Sequence, residues 1–272
     1  MNAIHLPMRR KIGTIFDAQR GASGVMEKRG LNSNQLKLIA IIAMTIDHFT
    51  WAVFPGTQTV WYVMGLHVIG RITAPIMWFF IAEGSFYTRN VKKYIGRLLV
   101  FAVISHFAYD FAFGIPFFNI SAGVFNRTSV MWALAISAAV IAISKSEKVP
   151  KWVKIVSVFA GCILAFPADW SSIAVMAPFS MYGHRGSFKK QALDIVFWTF
   201  IYAAVYFIFL NKPYAVLQMF TALSIPLLYQ YNGRRGTWKG MKWFFYIYYP
   251  AHLFAVGIVR LLLHGNIGII FS

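Results

Sequence analysis

The sequence predicts an all-α, polytopic membrane protein, and three observations carry that expectation. Of its 272 residues, 58% are apolar and 12% are charged, against the roughly 25% charged share of a soluble domain. Apolar runs recur along the chain, most of them near the ~20 residues that cross a bilayer as a helix. The basic residues fall in short clusters between those runs, on alternate sides of the expected membrane.

The elements follow in order. Residues 1–34 are polar and carry Arg9, Arg10, Lys11, Arg20, Lys28 and Arg29. They hold no apolar core, so they read as a basic cytosolic tail rather than a cleavable signal peptide. Residues 35–272 read as one transmembrane domain of about nine helices, near 35–54, 60–87, 92–113, 128–144, 152–168, 170–184, 191–210, 214–230 and 243–263. The second run is too long for one upright helix, so it either begins along the interface before crossing at Gly70 or tilts strongly. The fifth and sixth are short, which leaves a re-entrant pair open.

With the N-terminus cytosolic, the inside segments hold seven Lys/Arg up to Lys37, four in 89–97, four in 145–154, three in 185–190 and four in 234–242. That is 22 of the 26, while the outside loops hold Arg127 and Lys212. The alternation predicts a cytosolic N-terminus, an external C-terminus and an odd number of spans. It also explains the net charge of +18 without nucleic acid, which is not expected as a partner. The single Cys162 excludes an intrachain disulfide.

Ionisable groups inside the spans are few, and such groups mark function in a membrane. The first span carries Asp47 and His48 inside LKLIAIIAMTIDHFTWAVF. Lys37 lies roughly 16 Å below His48 along the helix. Arg71 falls midway in the second run and Glu83 near its end; His106 and Asp110 share a face of the third; Asp169 sits between the fifth and sixth; His252 and Arg260 lie in the last. His67 reads as interfacial. Adjacent residues point about 100° apart on a helix, so Asp47 is expected to pair with another helix rather than with His48. His48, His106, Asp110 and His252 match no zinc signature, and no metal is expected. No phosphate-cradling loop or serine-hydrolase elbow occurs.

Four strings together resemble the TraX family: LKLIAIIAMTIDH (36–48), IGRITAPIMWFFIAEGSFYTRNVKKYIGRLLVFAVISH (69–106), YNGRRG (231–236) and FFYIYYPAHL (244–253). The resemblance runs over most of 36–255. It is specific at IDH, GRxxxPI, AEGxxxTxNxxKY and YYPxH taken as a set. Asp169 falls where that family often has an acidic residue. His106 departs from the pattern, which more often has a neutral polar residue there.

The family resembles broader multi-span acyltransferases that use cytosolic acyl-CoA, many with a basic residue, ten residues and then a histidine in the first helix. Lys37 and His48 match that spacing. The resemblance therefore implies a transmembrane acyltransferase domain in the bacterial plasma membrane. It implies transfer of acetyl from acetyl-CoA to an amine, such as a pilin-like N-terminus, or to a hydroxyl acceptor on the outer side.

On this expectation His48 is the base, with Asp47, Arg71, Glu83 and His252 shaping the site. Lys37, Arg89, Lys92, Lys93 and Arg97 would hold the anionic donor. The same buried carboxylates and histidines would also suit a proton-coupled transporter, although the sequence shows no inverted repeat. A non-catalytic pilus or conjugation assembly factor is the third reading.

Overall fold

The computed structural model describes residues 30–117 and 126–269. The basic tail expected over 1–34 lies outside the described residues except for 30–34. Among the described residues the regular structure is helical, with two isolated bridges, Leu31 to Tyr231 and Thr128 to Ala168. The helices are α1 (Ser33–Val53), α2 (Trp61–Arg71), α3 (Thr73–Tyr87), α4 (Val91–Phe113), α5 (Val130–Lys145), α6 (Lys151–Ala165), α7 (Ile173–Gly183), α8 (Phe188–Phe209), α9 (Lys212–Met219), α10 (Ser224–Tyr229) and α11 (Met241–His264).

Each of the nine apolar runs is helical, but they are not nine equal spans. Five helices are long and apolar enough to cross a membrane: α1, α2 with α3, α4, α8 and α11. α5 and α7 are shorter apolar helices. The run near 214–230 is broken into α9, a tight turn at Phe220–Leu223 and α10. The chain is a helical membrane protein.

Local chemistry sets the breaks. Asn32 opens α1 with a reciprocal cap: its side chain accepts from the Asn34 and Gln35 amides, and the Gln35 side chain accepts from the Asn32 amide. This satisfies helix-end donors that would otherwise be orphaned. The long second run is one kinked helix, interrupted at Ile72. Pro75 lies three residues on. It has no N–H to offer the Arg71 carbonyl, and its ring crowds that carbonyl. The break leaves Arg71 in the last turn of α2, where the negative end of the helix favours a cation.

α1, α3, α7, α5, α4 and α11 each pack on the next, and α11 returns to α1, closing a ring. α2 packs beside α1 and α9; α6 lies outside α5 and α7; α8 joins α7 to α9. α6 and α8 turn Phe159, Ile163, Phe200 and Phe209 outward, as a lipid solvent permits. At the end remote from Lys37, the Asp169 amide donates to the Thr128 carbonyl (2.8 Å) and the Arg127 amide to the Pro167 carbonyl (2.6 Å). These bonds brace Trp170 and Ser171, whose φ of 62° and 47° are left-handed. For non-glycine residues that conformation is uncommon and costs about 1–3 kcal/mol, and it clusters at functional sites.

Candidate active site

The site is built on the helical offset between Asp47 and His48. One residue faces α2 and the other faces α11. Asp47 accepts from His67 Nδ1 through one oxygen (2.7 Å) and from Arg71 Nη2 through the other (2.7 Å). His67 and Arg71 are one turn apart, so α2 presents both to the same carboxylate. Arg71 also donates to the Gln218 side chain on α9 (3.1 Å) and to the His67 carbonyl (3.3 Å). Its guanidinium lies 5.6 Å from the Trp170 ring. Three of its five N–H groups are thus engaged among the described residues, and two remain. Gly70 is required here: a Cβ at that position would run into Asp47.

His48 is oriented by a second histidine. Its Nδ1 lies 2.8 Å from His252 Nε2, and the two rings are nearly parallel. His252 Nδ1 in turn lies 3.1 Å from the Tyr248 carbonyl. A carbonyl only accepts, so His252 Nδ1 carries the proton there and its Nε2 is left as an acceptor. His48 Nδ1 then donates to it, and His48 Nε2 keeps its lone pair. No described protein atom hydrogen-bonds that nitrogen. His252 thus sets the tautomer of His48, as the carboxylate does for the histidine of a Ser-His-Asp triad.

His48 lines a cavity of about 330 Å³ together with Asp47, Arg71, Asp169, Trp170 and Tyr249. Asp169 lies in the turn before α7. Burial pushes its carboxyl up to about 6, against the opposing pull of the Arg71 guanidinium. A second cavity, of about 520 Å³, opens at the Lys37 end of the ring. Lys37, Arg97, Arg235 and Lys242 are its cations, and Glu83 is its carboxylate. The two cavities share one wall, formed by Met77, Met131, Leu134 and Phe245.

A family model described as "TraX protein" matches residues 32–260. The chain belongs to the TraX family. It is 34% identical over 229 residues to "Probable fimbrial assembly protein FimC, serogroup H1" of Dichelobacter nodosus, covering 80% of this chain and 91% of that relative. No solved structure matches. The TraX match takes in nearly the whole ring of helices and every residue of both histidine and Asp–Arg clusters.

Of the residues expected in the site, the TraX fold brings Asp47, His48, Arg71 and His252 together. Glu83 does not join them. It lies on the second cavity, where Arg185 Nε meets it at 2.7 Å. Of the five cations expected to hold a donor, Lys37 and Arg97 line that cavity. Arg89, Lys92 and Lys93 do not; they sit exposed on the outer side of the first turn of α4 and the loop before it. Arg235 and Lys242 line it instead, brought in by the loop before α11 and the start of that helix.

His67 corrects the sequence reading most sharply. Expected at the interface, it is 0% exposed and bonded to Asp47. Its spacing of four from Arg71 was the available signal. His106 and Asp110 do share a face, at 3.5 Å, but they line neither cavity. Among the described residues no three His, Cys, Asp or Glu side chains converge as a metal would need.

Proposed function

We propose that this protein is a membrane-embedded acetyltransferase serving pilus or conjugative assembly, moving acetyl from acetyl-CoA to an amine or hydroxyl acceptor. One observation carries the reading: the directional chain from the Tyr248 carbonyl through His252 to His48 leaves a lone pair on His48 Nε2 at a cavity wall. A free imidazole nitrogen in a cleft is what a general base needs. His48 Nε2 takes the proton of the acceptor as its nitrogen or oxygen attacks the thioester carbonyl carbon. The two uncommitted N–H groups of Arg71 meet the developing oxyanion. Collapse breaks the C–S bond, and His48 returns the proton to the leaving thiolate, giving free CoA and the acetylated acceptor.

The donor's phosphates belong with Lys37, Arg97, Arg235 and Lys242 on the second cavity. The fimbrial relative supports the link to pilus assembly. A proton relay is less well supported, because both Asp47 oxygens are already bonded to His67 and Arg71. The alternation of basic clusters supports nine crossings with a cytosolic N-terminus in the bacterial inner membrane, so that the basic cavity opens to the cytosol. Reporter fusions after Lys145 and Arg235 are then expected to read cytosolic, and fusions after Lys212 and Ser272 external. A cytosolic C-terminus would overturn the nine-crossing topology.

The activity is tested with purified protein and acetyl-labelled acetyl-CoA, following protein-dependent loss of the thioester. Donor binding is expected to weaken as salt rises, because partly exposed cations are screened. Replacing Arg97 or Arg235 by Ala is expected to raise the donor Kd about three- to tenfold. Binding indifferent to salt and to both substitutions would move the donor away from this cavity.

A further inference from the structure

We infer that Asp169 receives the acceptor, holding a cationic amine near His48 and taking the first of its protons. The inference rests on the acyltransferase reading and assigns the acceptor side of the same site. Four of the groups lining the cavity are acids or bases near neutral pH: Asp47, His48, Arg71 and Asp169. Its tyrosines are neutral there. Asp47 and Arg71 cancel each other at 2.7 Å, and His48 is neutral in the tautomer that His252 sets. Asp169 is left over. No described Lys, Arg or His comes within ion-pair distance of its carboxylate. Burial raises that carboxyl only to about 6, so it is mostly ionised at pH 7. The cavity therefore carries one unmatched negative charge, and a buried charge is costly until it is paired.

The placement of Asp169 fits an incoming substrate. Thr57, Asp169 and Asn211 line the cavity from connections at the end remote from Lys37, so the cavity reaches the loops opposite the basic cavity. The walls between are mostly apolar, with Trp51, Phe113 and Leu210 among them. They fit the apolar body of an acceptor whose charge is at its tip. At about 330 Å³ the cavity is small enough for one head group to meet both Asp169 and His48. An ammonium cannot attack a thioester, because its lone pair holds a proton. Passing that proton to Asp169 frees the nitrogen. The transfer is uphill, since an α-amine has an ordinary pKa of about 8, and attack on the carbonyl carbon draws it forward. His48 Nε2 then takes the second proton and returns it to the thiolate. Acetyl-CoA and the ammonium thus give the amide, the CoA thiol and one proton, which Asp169 releases to water. A hydroxyl acceptor needs only His48. It offers Asp169 a hydrogen bond but no charge, so the carboxylate favours the amine.

The test uses the full chain in lipid nanodiscs, acetyl-labelled acetyl-CoA and two acceptor probes. One is glycyl-leucyl-leucine amide, whose free amine is cationic; the other is glycolyl-leucyl-leucine amide, with a hydroxyl in its place. The parent is expected to use the amine with a kcat/KM roughly tenfold or more above that for the hydroxyl. Asp169→Asn keeps the shape and removes the charge. It is expected to raise the KM for the amine roughly tenfold or more, to use the hydroxyl peptide much as the parent does, and to bind acetyl-CoA as before, which shows that the fold is intact. Should that variant not fold, two inhibitors test the parent alone. The betainyl peptide, with a trimethylammonium tip, is expected to block transfer roughly tenfold better than the 3,3-dimethylbutanoyl peptide, its uncharged counterpart of the same shape. Equal use of the two acceptors, equal block by the two inhibitors, or an unchanged KM for the amine in Asp169→Asn would overturn the role of Asp169 and leave the acetyltransferase standing. A parent protein that cleaves acetyl-CoA with neither peptide would overturn both.

Discussion

His48→Gln is expected to insert and fold like the parent protein, to bind acetyl-CoA with similar affinity, and to lose roughly 10²–10⁴-fold in turnover. That is the usual cost of removing general acid–base help. Gln can still donate to His252 Nε2, so the buried contact with α11 survives, but it cannot take a proton from the acceptor. A structural histidine would behave differently: His48→Ala would fold poorly and Gln would restore both yield and activity. On the proposed mechanism His252 acts through His48 as a positioning residue. His252→Gln places a carbonyl oxygen where Nε2 was and is expected to retain much more turnover than His252→Ala, which leaves His48 free to turn and to change tautomer. Single-turnover measurement of acetyl transfer by the four variants decides the matter. Full transfer by well-folded His48→Gln would remove the residue from the chemistry.

The second large effect falls on stability. Asp47→Ala is expected to lower the stability of the folded protein by about 3–5 kcal/mol, because it leaves Arg71 charged and unmatched among buried groups. Arg71→Ala strands Asp47 in the same way. The double variant Asp47→Asn with Arg71→Met removes both charges and keeps the volume, so folded yield and detergent melting are expected to recover most of the loss. Turnover should not recover, since the proposed oxyanion donor, Arg71, is gone. If the losses of Asp47→Asn and Arg71→Met, each measured singly, simply add in the double variant, the pair is not coupled, and the role of Asp47 as the clamp on Arg71 fails.

Both clusters were partly legible in the sequence, for reasons particular to each residue. Asp47, His48, Arg71 and His252 stand out because charged and titratable groups are rare in apolar runs. That Asp47 would reach another helix follows from the 100° step between neighbours. The partner His67 was hidden by its surroundings: WYVMGLH reads as an interfacial aromatic segment, and its burial depends on α9 packing over it. Glu83 misled because its partner, Arg185, lies 102 positions away. The basic character of the Lys37 end was plain from the charge clusters. Which cations face inward depends on the rotation of α4 and on the path of the loop before α11. The wall of Met77, Met131, Leu134 and Phe245 gave no signal, since each of the four reads as ordinary core. The breaks in the later spans were legible only in part, because short apolar helices owe their lengths to packing rather than to composition.

The closed ring also orders the biogenesis of the protein. Asp47 and Arg71 lie 24 positions apart on helices consecutive in the chain, so their charges can neutralise each other while the first hairpin enters the bilayer. His48 and His252 lie 204 positions apart, on the first and last helices of the ring. The nascent chain therefore settles its most costly buried charges at the outset, while His48 acquires its orientation only when α11 is inserted. A ribosome still short of that helix carries a membrane-compatible intermediate in which His48 has no partner on α11, and the oriented histidine pair comes into being only with that helix.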